Sequence, residues 1–150
     1  MVPWQKRLEL ATEEHVDPRQ KDRRHGAESN RLDNGVVASD CVEDAFERGL
    51  DLMRRREFFA AHEELELAWR AADTAERDFY QGLVHVTVAW YQAGRGNRPG
   101  CERQLAKAAR RLAAFRPTHR GVDVDDVLQQ VAHAAETVAG GSLDLQPPRV

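Results

Sequence analysis

The chain has 150 residues and a mass of 17.0 kDa, which suits one domain with a sizeable hydrophobic core. Charged residues make up 31% and the formal net charge is -3, so neither sign dominates. That balance gives no long-range field for nucleic acid or an anionic membrane, and neither is expected as a partner. The basic runs RQKDRRH (19–25), RRR (54–56) and ARR (109–111) are short and adjoin acids or apolar helical stretches, as solvated helix faces do.

Cys41 and Cys101 stand far apart without CxxC spacing, so neither a disulfide framework nor a zinc knuckle is expected. No apolar run follows a basic start, and the longest apolar stretch, GLVHVTVAWY, is about half of what a membrane span needs. The expected setting is soluble and cytoplasmic.

In chain order, residues 1–38 read as a flexible charged extension, with one short helix carrying Trp4, Leu8 and Leu10. Structure is expected to begin at Asp40, whose spacing to Glu43 is that of a capping box. A first helix over 41–54 carries Val42, Ala45, Phe46, Leu50 and Met53 at helical intervals. A second, over 57–71, carries Phe58, Phe59, Leu65 and Trp69. Thr74 is the expected N-cap of a third, over 75–93. That third helix is apolar around most of its circumference, interrupted only by a stripe through Gln81, His85 and Gln92, and belongs in the middle of a bundle. GRGNRPG then breaks the chain, with Pro99 in the first turn of a fourth helix over 100–114 and Asn97 available as a cap. Asp123 and Asp126 introduce a fifth helix over 124–138, which Gly140 and Gly141 stop. A polar tail, 141–150, follows the domain of residues 39–140. The fold class is all-α: a compact bundle of about five helices around a central apolar one.

The chemistry is concentrated in FFAAHEELELAW, residues 58–69. It is one residue short of the HExxH zinc-protease signature. His62 and Glu66, four apart, share a helix face that Trp69 extends, with Glu63 further round. Folding the second and third helices antiparallel about position 73 puts His62 level with His85, and Glu66 level with Tyr80 and Gln81. Buried there, these groups must bond to each other, to water or to an ion. Three readings stay open: a structural polar network, a ligand pocket, or a divalent-metal site using His62, Glu66 and His85. Arg120 is expected to pair with one of the nearby aspartates or with Glu66.

FFAAHEELELAW, DFYQGLVHVTVAWYQAGRGNRPG, ARRLAAF and HRGVDVDDVL, in that order, make the chain resemble the DUF309 family of small helical bacterial proteins over roughly residues 44–130. The resemblance implies an all-helical fold and a shared polar cluster. It assigns His62, Glu63, Glu66 and Trp69 to the histidine–glutamate helix motif, and Gln81, Gly82 and Leu83 to a buried glycine-containing helix. It also assigns Gly96 and Asn97 to an asparagine turn, and Arg120, Gly121 and Asp123 to an arginine–glycine–aspartate loop. The family commonly has a small residue at the position of Cys101, which argues against a nucleophilic thiol there.

The leading expectation is a noncatalytic helical domain binding a small ligand or protein partner beside the polar cluster. Its rivals are a metal-dependent hydrolase or acid–base enzyme using His62, Glu66 and His85, and a purely structural polar core. A homodimer through an apolar face is a further expectation.

Overall fold

A computed structural model describes residues 33–150 of the chain. The short helix expected around Trp4, Leu8 and Leu10 lies outside the described residues. Five α-helices follow in order: α1 Asp33–Arg54, α2 Phe58–Ala71, α3 Thr74–Gly94, α4 Arg98–Leu112 and α5 Val124–Ala139. A short 3₁₀ turn, Ala113–Phe115, and a two-stranded antiparallel hairpin, β1 Thr118–His119 and β2 Val122–Asp123, join the last two helices.

Each helix buries the face that its apolar spacing defines. In α1 that face is Val42, Ala45, Phe46, Leu50 and Met53, and in α2 it is Ala61, Leu65 and Ala68. The start of α1 differs from expectation: the helix begins at Asp33, so Asp40 and Glu43 lie inside it rather than at its cap. A three-residue spacing is both a capping box and one face of a helix interior, and only the preceding backbone distinguishes the two. At α3 the cap is Asp73, not Thr74, and no side chain closes the first turn; the Asp73 carbonyl accepts from the backbone of Glu76 and Arg77 instead.

The central placement of α3 is as expected. Every residue from Phe79 to Trp90 is buried. Phe46 of α1 meets Phe79 and Tyr80 edge-on, with ring centroids 5.8 and 5.5 Å apart, while Phe59 of α2 approaches Tyr91 at 6.1 Å. The polar groups on so buried a helix need partners. Thr87 finds its own by donating from Oγ1 to the Leu83 carbonyl at 2.9 Å.

The turn between α3 and α4 accounts for GRGNRPG residue by residue. Gly96 has φ +74, a left-handed conformation that glycine adopts without strain. Asn97 Oδ1 accepts from Gly100 N at 3.1 Å, and its Nδ2 donates to Gln92 Oε1 at 2.9 Å. Gly100 is small for a reason: a Cβ there would lie 2.6 Å from Asn97 Nδ2. Pro99 sits in the first turn, where no backbone donor is needed.

The hairpin was not foreseen, because two-residue strands are too short to show alternation. Its register, His119 opposite Val122, leaves Arg120 and Gly121 as the two-residue loop. Both have positive φ, 47° and 76°, as the tightest hairpin loops require.

Close approach of α3 and α4 depends on Gly82. A Cβ at that position would meet Leu112 Cγ and Cδ2 at 2.6 Å, and Leu112 is fully buried. Gly82→Ala is expected to lower stability by about 1–3 kcal/mol through overpacking, despite the better helix propensity of alanine. Urea unfolding followed by circular dichroism checks this.

Candidate functional site

Polar side chains of the bundle gather in three places rather than one. On α2, His62 Nε2 lies 3.2 Å from Glu66 Oε2, and Arg70 one turn further on pairs with the same carboxylate. His62 is buried, with its ring 5.9 Å from that of Phe59, whereas Glu63 is exposed and Trp69 half-buried. These contacts follow the helical i, i+4 spacing, so they hold one helix face together.

The polar stripe of α3 turns the other way, towards α4. His85 Nδ1 lies 2.7 Å from Gln104 Oε1, and Gln92 serves the Asn97 turn. Gln81 is buried on the same helix. His62 thus lies against a carboxylate of its own helix and His85 against a side chain of α4. Matching heights along two antiparallel helices fixes position along the axis but not azimuth. The α4 crossing at Gly82 lies on the side that 81 and 85 face. Among the described residues, no group of three or more His, Cys, Asp and Glu side chains is placed to hold a metal ion, so His62, Glu66 and His85 form no shared ligand set.

His85 has a defined chemical state. Burial pushes its pKa down to about 4; the hydrogen bond to Gln104 opposes this, and Lys107, Arg111 and Arg110 add to it. A neutral ring whose Nδ1 faces a carbonyl oxygen carries its proton there. Nε2 is thus a buried acceptor without a partner among the described residues. Cys101 is fully buried, and burial with the neighbouring Glu102 raises its thiol to about 11. It stays protonated, in keeping with its expected inertness as a nucleophile.

The third place is built by the hairpin. Arg120 Nε donates to Glu76 Oε2 at 2.7 Å and Nη1 to Glu43 Oε2 at 3.1 Å, which ties the loop to α3 and α1. This corrects the expected pairing of Arg120 with an aspartate or with Glu66. Asp123 instead caps α5, accepting from Asp126 N at 2.9 Å. His119 Nε2 lies 2.8 Å from the same Glu76 oxygen, and its ring packs on Phe79 and Phe115 at 4.6 and 4.8 Å. The Arg120 guanidinium lies 5.9 Å from the centre of the Tyr80 ring. Burial alone would raise the pKa of Glu76, but hydrogen bonds from Arg120 and His119 outweigh it and hold the carboxyl below its usual 4.5.

Beside this group lies a cavity of about 190 Å³ between α1, the α2–α3 turn and the hairpin, lined by Ser39, Asp73, Glu76, Tyr80 and Arg120. Tyr80 is fully buried, and its hydroxyl has no hydrogen-bond partner among the described residues. Burial holds the phenol above its usual pKa; Arg120 pulls it down, and Glu43 and Glu76 push it up. It is a neutral donor at physiological pH. A second, larger cavity of about 440 Å³ lies between α5 and the segment after it. Neither cavity is lined by His62, Glu66 or His85.

Residues 46–104 match the family described as Domain of unknown function (DUF309). The chain carries a DUF309 domain. No curated protein and no solved structure matches the chain. The matched DUF309 stretch includes the histidine–glutamate helix, Gln81, Gly82 and Asn97, and it contains Glu76 and Tyr80. It stops before the hairpin, so Arg120 and Asp123 lie beyond it.

Sequence reasoning missed Glu43, Glu76, Tyr80, Gln104 and His119. The available signal was Glu76 and Tyr80 one turn apart at the start of the most apolar helix, a position where an acid and a phenol must face something other than the core.

Two outcomes follow for the DUF309 domain. By ¹⁵N NMR, His85 should show a single Nδ1–H tautomer and stay neutral until the pH approaches about 4. Glu76 has a lowered folded pKa, so its stabilisation is complete above the unfolded value of 4.5 and is lost as the pH falls through the folded value. Glu76→Gln should be less stable than wild type at pH 7. The gap should narrow below pH 4.5 in thermal melts across pH.

Proposed function

We propose that the chain is a noncatalytic helical binding domain whose ligand is a small polar molecule held at Tyr80, Glu76 and Arg120. The observation that carries this is that Tyr80 lines a cavity while its buried hydroxyl has no partner among the described residues. An unpaired buried hydroxyl costs stability, and a ligand that pairs with it recovers that loss only when bound.

The lining sets the class of ligand. Asp73 and Glu76, with Glu43 nearby, outnumber Arg120, whose guanidinium is already committed to two carboxylates. Anions are disfavoured there; a neutral or cationic molecule carrying hydroxyl or amine donors fits. At about 190 Å³ the space is below the roughly 300–1,000 Å³ usual for drug-sized ligands, so the ligand is small. The His62–Glu66–Arg70 ladder has the structural role of bracing α2.

Tyr80→Phe separates these ideas. Stability should stay unchanged or rise by up to about 1 kcal/mol, because the lost hydroxyl had no partner. A small polyol or primary amine that raises the melting temperature of wild type should leave that of Tyr80→Phe unmoved. Equal shifts in both proteins, or a loss of more than about 1 kcal/mol in the variant, would contradict the proposal.

A further inference from the structure

The segment after α5 is held to the bundle largely through its backbone. Trp90 Nε1 of α3 donates to the Gln146 carbonyl at 2.7 Å. The side-chain amide of Gln130 on α5 reads both backbone groups of one residue: its Nε2 donates to the Arg149 carbonyl at 2.9 Å, and its Oε1 accepts from Arg149 N at 2.8 Å. Arg54 of α1 donates to the Val150 oxygen at 3.1 and 3.3 Å. Side-chain contributions are few. Pro148 is buried, and the Arg149 guanidinium pairs with Asp126 at 3.1 Å.

The segment reads Gln146-Pro147-Pro148-Arg149. Each proline fixes its own φ and biases the residue before it to extended backbone, so Gln146 and Pro147 are held extended without internal hydrogen bonds. A stiff, extended, proline-containing strand, an indole N–H on one of its carbonyls, a buried proline and an acid for its arginine together make up the chemistry of proline-rich peptide recognition. Stiffness favours such ligands because little conformational entropy is lost on docking. The segment does not fill its groove: the cavity of about 440 Å³ lies beside it, lined by Trp90, Gln130, His133, Thr137 and Leu145.

We infer that the groove formed by Trp90, Asp126 and Gln130 is a peptide-binding surface for extended Pro-Pro-Arg segments of another protein. The chain's own residues 146–149 occupy it in cis and act as a built-in competitor. A tethered competitor acts at an effective concentration of about a millimolar. For a site of about 0.1 mM affinity, that weakens an incoming peptide about tenfold.

The test uses the full chain and a fluorescein-labelled peptide of sequence LDLQPPRV. In fluorescence polarisation, the peptide should bind the full-length Pro148→Ala/Arg149→Ala double variant about tenfold more tightly than wild type. Adding Gln130→Ala to that variant should remove the binding, and an LDLQAAAV peptide should not bind. In wild type, millimolar LDLQPPRV should displace the tail and shift the chain's own Arg149 amide resonance, which loses its bond to Gln130 Oε1, a readout that does not depend on the double variant folding. Equal binding of both peptides, tight binding that survives Gln130→Ala, or an unmoved Arg149 amide resonance would overturn the inference. A stable dimer that excludes the peptide would also overturn it, by assigning the groove to a second copy.

Discussion

One carboxylate oxygen, Oε2 of Glu76, receives both His119 and Arg120 and so joins the hairpin to the central helix. Glu76 is in the first turn of α3, where the helix dipole favours a negative charge and no side chain closes the cap. A second acid, Glu43 on α1, takes the other end of the same guanidinium. Three segments distant in sequence thus meet at one arginine. Its backbone is at φ +47, a conformation that the two-residue hairpin loop requires and a non-glycine residue adopts rarely. Both Glu76 and Arg120 also line the cavity beside Tyr80.

The central helix explains why the polar groups are dispersed. A helix buried on nearly every side presents its polar residues to whichever neighbour is closest, and three of them have found different ones: Gln104 on α4 for His85, the Asn97 turn for Gln92, its own backbone for Thr87. Tyr80, on the same helix, has a hydroxyl without a partner among the described residues. Small residues at two crossings make that burial possible, Gly49 against Leu65 and Gly82 against Leu112. The core is therefore fixed by glycine as much as by the aromatic side chains around it.

The helices were legible in the sequence because their periodicity is strong and their ends carry local signals. Asn97 and Asp123 cap the helices they were expected to cap, and Phe79 to Trp90 are buried as the apolar pattern implied. Which neighbour a buried polar side chain meets was not legible: His62 lies against Glu66 on its own helix, and His85 against Gln104 on α4. The Arg120 partners were hidden for another reason. Glu43 and Glu76 are far away in sequence, and an acid on an amphipathic helix looks the same whether it faces water or an arginine. The hairpin that delivers Arg120 has strands of two residues, below the length at which a pattern shows.

The most direct test of this account is a double-mutant cycle on folding stability with Arg120→Ala and Glu76→Gln. The side chains are 37% and 23% exposed, so solvent screens the pair in part, and a coupling of about 1 kcal/mol is expected. Additive effects, to within about 0.3 kcal/mol, would mean that the hairpin is held by something other than this contact, and would contradict the account.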